Sequence, residues 1–199
     1  MSGFLTLTGE AEHREDIQKS VFLAFARRAD DPAEAFEFLQ SLARRFPDAS
    51  HLCWAYKIGG QYRLSDAGEP SGTAGQPILR AIEGQKLDHV VVGVIRYFGG
   101  VKLGAGGLTR AYGGVSAEML RHADKRVETP LETFTVEVPF EFLGVLYHLL
   151  GSLAAEKGAE SYSETGVRIT ARASRDNLAR LETQLGEATR GQFKLEVRD

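Results

Sequence analysis

Residues 96–112 read RYFGGVKLGAGGLTRAY, and few stretches of the chain bring so many chemically capable side chains so close together. Three cations, Arg96, Lys102 and Arg110, alternate with Gly99, Gly100, Gly104, Gly106 and Gly107 and with three aromatics, Tyr97, Phe98 and Tyr112. Successive glycines let a backbone approach a ligand closely. A helix starting near Gly106 would leave free N–H groups of positive character at its N-terminus, with Arg110 in its first turn. Such an end favours a phosphate or carboxylate. Cations would add charge there, and aromatics could stack bases. The same residues also suit a tight strand-to-helix turn with no ligand at all. Spacing alone leaves both readings open.

The nucleotide motifs fit poorly. A P-loop ends in Gly-Lys-Ser/Thr, whereas Lys102 is followed by Leu103. The dinucleotide pattern is met only as GAGGLT, with Thr109 in the last glycine slot and a helix where the second strand's acidic residue should stand. The segment SDAGEPSGTAG raises a second possibility. Asp66 and Glu69 could approach a hard cation, and Ser71 and Thr73 a phosphate. The same residue types also close turns. These four residues are read as the rim of a site, without a required metal. His51 and Cys53 share one face of an expected strand, but beside Trp54 they read as packing, and Cys53 as structural. No other histidine has ligand spacing. No catalytic residue and no cofactor are assigned, and the chain reads more readily as a binding protein than as an enzyme.

The 199 residues carry a net charge of −3 and a single cysteine. Residues 1–126 hold 16 basic against 15 acidic side chains, and 127–199 hold 8 against 12. Any contact with a polyanion must therefore be local, and no sequence-specific reading of DNA is expected. One cysteine allows no internal disulfide and suits a cytoplasmic location. No apolar run is long enough to span a membrane, and no secretory signal is read at the N-terminus.

The elements that would position these residues follow from periodicity. Residues 19–29 form an apolar strand. Asp31, Pro32 and Glu34 open a helix that Pro47 stops. HLCWAYKI alternates, and Gly59-Gly60 turns it into QYRLS as a hairpin. A short helix begins near Pro77, and residues 89–95 form a strand buried on both faces that feeds the glycine loop. After the loop, Leu108, Ala111, Tyr112, Val115 and Met119 mark an amphipathic helix of about four turns. From residue 130 a separate β-α-β-β-α-β order begins, the ferredoxin-like pattern.

HLCWAY, SDAGEPSGTAGQPIL and VVVGVIRYFGGVKLGAGGLTRAYGG together resemble the Impact/YigZ family. The resemblance implies an α+β chain of two domains. Residues 1–127 would form an Impact-type βαβ domain like ribosomal proteins and the fourth domain of elongation factor G. Residues 128–199 would form a ferredoxin-like domain, joined to the first near 125–132. The family usually has arginine, asparagine and aspartate where this chain has Val21, Leu52 and Ala67. The resemblance also implies a link to translational control. Three functions follow as expectations: contact with RNA or a ribosome-associated factor through the glycine loop, regulation by protein–protein binding, or an enzyme acting on a phosphorylated substrate.

Overall fold

The computed structural model describes residues 3–198. The fold is α+β, and its contacts divide the chain into two units, Phe4–Glu128 and the residues from Thr129 onward.

The first unit is built on a five-stranded antiparallel sheet. In spatial order its strands are β2 (Ala11–Ile17), β3 (Ser20–Arg28), β6 (Val90–Tyr97), β4 (His51–Ile58) and β5 (Gln61–Ser65). Helix α1 (Pro32–Arg45) packs on one face. Helices α2 (Gly75–Gly84) and α3 (Gly104–His122) pack on the other. Both faces are covered, so β6 is apolar from Val90 to Ile95 and buried throughout. Alternation then assigns the sides. Val90, Val92 and Val94 enter the α2/α3 core, whereas Val91 and Ile95 enter the α1 core. Arg96 and Phe98 continue the first series and Tyr97 the second.

Local signals explain most boundaries. Asp31 accepts the Glu34 N–H, and Glu34 reaches back to the Asp30 N–H, closing a box at the start of α1. Gly59 and Gly60 both have positive φ and join β4 to β5 in two residues. Three expectations need correction. Helix α3 begins at Gly104, not Gly106, and its 19 residues make about five turns. Arg110 therefore sits in its second turn. Helix α2 begins at Gly75, two residues before Pro77, because Asp66 takes up the N–H groups that open it. Sequence reading also assigned no strand before residue 19. There β2 forms a charged edge, and β1 (Phe4–Leu7) pairs with β7 (Lys125–Glu128). The solvent side of an edge strand carries no hydrophobic pattern to find.

The second unit runs β8 (Leu131–Pro139), α4 (Leu143–Ser152), β9 (Glu156–Tyr162), β10 (Gly166–Ser174), α5 (Arg175–Thr189) and β11 (Lys194–Arg198). Its sheet order, β11-β8-β10-β9, and its β-α-β-β-α-β sequence are ferredoxin-like. Phe134, Val136, Val138, Val167 and Ile169 pack against Leu146, Leu150, Leu181 and Leu185. The opposite sheet face carries ion pairs, among them Arg168–Glu137 at 2.8 Å and Arg172–Glu156 at 3.5 Å. Without aromatics, that face is no platform for stacked bases.

Candidate functional site

The α2/α3 side of the first unit gathers polar side chains from β3, β4, β6 and α3 around Glu69. Its carboxylate is 4% exposed, and Oε1 accepts from Arg96 Nη1 at 2.6 Å and from the Tyr112 hydroxyl at 2.8 Å. His51 Nδ1 donates to the Ala67 carbonyl at 3.0 Å, which leaves Nε2 3.9 Å from Glu69 Oε1. Arg96 also reaches Ser20 Oγ at 3.3 Å. Its guanidinium carbon lies 5.5 Å from the ring centres of both Phe22 and Phe98, so it is held between two aromatic faces.

The acidic loop above this cluster is organised by Asp66. Its carboxylate accepts the N–H groups of Gly72 at 2.8 Å, Ala74 at 2.9 Å and Gly75 at 2.8 Å. Burial pushes the Asp66 pKa up, but the three backbone donors outweigh it and hold it below the usual carboxylate value. Thr73 donates to the Pro70 carbonyl at 2.6 Å, and Ser71 is exposed. Ala67 has a φ of +45°, a left-handed conformation that alanine adopts less readily than asparagine or aspartate. Among the described residues no group of three or more His, Cys, Asp or Glu side chains is arranged to hold a metal ion.

Replacing Asp66 by alanine is expected to cost about 2 kcal/mol, since three N–H groups at the start of α2 lose a charged acceptor. A carboxyl whose folded pKa is depressed stabilises fully above its unfolded value and loses that contribution as pH falls toward the folded one. The gap between parent and variant should thus be constant above about pH 5 and shrink below about pH 4. Denaturant titrations across that range check it. A gap that stays constant down to about pH 2.5 would remove the charge from the explanation.

Cys53 lies beneath the loop, fully buried, and its thiol donates to the Asp66 carbonyl at 2.9 Å. Burial pushes the thiol pKa up to about 12, so it is not a thiolate at neutral pH. His51 and Cys53 do share a strand face, but both turn toward the loop backbone and not toward each other.

The glycine loop lies across the end of this cluster. The Phe98 N–H donates to Ser50 Oγ at 3.0 Å and the Gly99 N–H to Ser20 Oγ at 3.3 Å. Phe98 stands 49% exposed. Lys102 is exposed, and no side chain caps α3. Arg110 reaches back along the helix, so that a Cβ at Gly106 would lie 3.6 Å from its Nη1. Glu69, Arg96, Phe98, Lys102, Gly104 and Leu108 line a cleft of about 220 Å³. A larger groove of about 850 Å³ in the second unit sets Glu132 and Glu182 among Arg175 and Arg198, and gathers no comparable chemistry.

The structure thus regroups the residues singled out by sequence. Arg96 is 4% exposed and its charge faces Glu69, so it is not a free cation beside Lys102 and Arg110. Glu69 lies at the floor of the cleft, not at its rim. Tyr112 is fully buried, and Tyr97 turns to the α1 side, where its hydroxyl donates to Asp48 at 3.0 Å. Phe98 is the one aromatic of the loop left open to solvent. Sequence reading missed Tyr112 as a partner of Glu69 and Ser20 and Ser50 as anchors of the loop. Lone hydroxyls tens of residues away carry no local signal.

Comparison with known proteins places this arrangement. Residues 18–120 match the Impact N-terminal domain, which covers more than half of the chain. The chain belongs to the Impact family. Across 156 residues, 78% of this chain and 85% of the relative, it is 51% identical to an Impact family member encoded in the pol 5′ region of Thermus thermophilus. Over 186 residues, 91% of each chain, it is 32% identical to the Impact family member YigZ of Escherichia coli. A solved structure of a hypothetical protein superposes along the full chain and 98% of its own length, with a TM-score of 0.73 at 30% identity. The Impact match includes Glu69, Arg96, Tyr112 and the whole glycine loop. Val21 lies opposite Tyr97 in the sheet and Leu52 packs in the α1 core, both away from this cluster, while Ala67 offers its carbonyl to His51.

Proposed function

We propose that this Impact-family chain is a cytoplasmic protein that binds single-stranded RNA, alone or within the translation machinery, through the glycine loop and the start of α3. The observation that carries this is Phe98. A half-exposed aromatic is pinned by its backbone to Ser50 and backed by a buried guanidinium, so one ring face is held rigid toward solvent. A base stacks on such a face at a small entropic cost. The free N–H groups of α3, with Lys102 and Arg110 beside them, supply the place for a backbone phosphate. Negative charge elsewhere on the chain argues for local rather than broad electrostatic attraction. Neither Lys102 nor Arg110 reads base edges from here, so no specificity for a DNA sequence is expected.

With Arg96 neutralised by Glu69, two side chains remain for phosphates. The log–log salt dependence for a short oligonucleotide should be about −1.4, from about −0.7 per contact. Lys102→Ala should flatten the slope by about 0.7 and weaken all sequences alike. Fluorescence anisotropy over a range of salt measures both. If Lys102→Ala and Phe98→Ala both bind as the parent does, the loop serves folding alone and the RNA reading is wrong.

A further inference from the structure

The cleft has a polarity that a simple stacking platform would not need. Glu69 uses only one of its carboxylate oxygens. Oε1 accepts from Arg96 and Tyr112, while Oε2 accepts no hydrogen bond among the described residues. Arg96 Nε, by contrast, is fully buried with no partner. Both side chains line the cleft and are at least nine-tenths buried. At the mouth, Lys102 and the uncapped start of α3 present positive charge. A ligand filling this space meets an acceptor at the floor, an aromatic wall at Phe98 and an anion site at the mouth. A phosphate is excluded from the floor by the Glu69 carboxylate, and a hydrogen-bond donor belongs there instead.

We infer that the cleft reads a single unpaired guanine, its Watson–Crick edge donating to Glu69 Oε2, its ring against the edge of Phe98 that borders the cleft and its phosphate at the Lys102 end of α3. This rests on the RNA reading above and adds base selection to it. Guanine is the common base that offers two adjacent donors, N1–H and N2–H, and a carboxylate oxygen matches them. Adenine and cytosine place a ring acceptor beside their amine, which faces the carboxylate unfavourably. Uracil has one donor flanked by two carbonyls. The volume of about 220 Å³ holds one base, not a run of them. A base that fills the cleft without donating displaces water from this acceptor and returns no hydrogen bond, which adds to the selection.

The test compares three ligands on the whole protein: a short oligouridine, the same oligomer with one central guanosine, and the same with inosine, which lacks the N2 amine. The guanosine oligomer should bind roughly tenfold tighter than oligouridine, toward the low end of a paired base-edge contact, and inosine should lose most of the gain. Glu69→Gln should abolish the preference, bringing the guanosine, inosine and uridine oligomers to one affinity. Arg96 and Tyr112 both donate, so they keep the amide oxygen, and its NH₂ turns toward guanine's own donors. Phe98→Ala, at an exposed position, should weaken all three ligands and shrink the preference. Lys102→Ala should weaken all three equally and leave the preference intact. Equal affinity for the three ligands on the parent overturns the guanine reading and leaves RNA binding standing. No affinity for any of them overturns both. A full preference in folded Glu69→Gln, or in Phe98→Ala should Glu69→Gln not fold, would show that another surface selects the base.

Discussion

Glu69→Ala is expected to destabilise the first unit by about 3–5 kcal/mol, the scale for removing one partner of a buried ion pair. The variant leaves the Arg96 guanidinium 5% exposed, between two aromatic rings, with Ser20 as its remaining side-chain partner. The Tyr112 hydroxyl, fully buried, also loses its acceptor. Most of the cost is therefore the stranded cation and hydroxyl, not the attraction between the two charges. That distinction is measurable. Arg96→Met made in the Glu69→Ala background should recover part of the loss, because it removes the charge the first substitution stranded. Trp54 is the only tryptophan, lies in β4 and packs with the α1 core, so its fluorescence during denaturant titration follows this unit. A cost below about 1 kcal/mol, the range of exposed pairs, would mean that Glu69 is solvated and that the network is not a structural centre.

Where sequence and structure agree, the residues announce themselves locally. Helix capping needs only neighbours: Asp31, Pro32 and Glu34 stand almost side by side in the chain, and they start α1 as expected. Gly59-Gly60 demands left-handed backbone, and the hairpin follows. The alternation of residues 134–138 and the leucine spacing of 178–185 suffice for the ferredoxin-like unit, because each apolar face has one helix or sheet to meet, whereas Phe140, read as its continuation, stands 45% exposed in a turn after β8. The candidate site is different. Arg96 and Lys102 look equivalent in a string of letters. Strand alternation sends Arg96 inward to Glu69, 27 positions away, whereas Lys102 follows a positive-φ glycine into solvent. Tyr97 and Phe98 are adjacent and aromatic, yet opposite strand faces separate them by the thickness of the sheet. Composition named the right neighbourhood, and only the long-range pairing decided which charges were free. Edge strand β2 was hidden for a related reason: Glu12, Arg14, Glu15 and Asp16 answer to water, not to a core.

Gly99→Ala should be the most damaging small substitution in the loop, at about 3 kcal/mol, the upper end for overpacking. A Cβ there would come within 3.0 Å of the Lys19 carbonyl oxygen and carbon and of the Lys19 Cβ. The obstacle is backbone, and it cannot yield easily. Gln18 and Lys19, at φ +46° and +69°, form the two-residue turn of the β2–β3 hairpin, whose strands are in register on both sides. The neighbouring Ser20 holds both the Gly99 N–H and Arg96. The loop must therefore move instead, and it carries Phe98 and Lys102 with it. Gly100 provides the control. Its φ is +83° but a Cβ would meet open space, so Gly100→Ala should cost only about 1–2 kcal/mol of left-handed strain. Two measurements separate the consequences. Denaturation of the two variants should rank Gly99→Ala well below Gly100→Ala. Oligonucleotide affinity, read where both remain folded, should fall several-fold for Gly99→Ala, since the stacking face has left its guanidinium backing. Equal stability of the two variants would mean that the loop is not wedged against the hairpin. An unchanged affinity in a destabilised Gly99→Ala would free Phe98 from any need to be held in place.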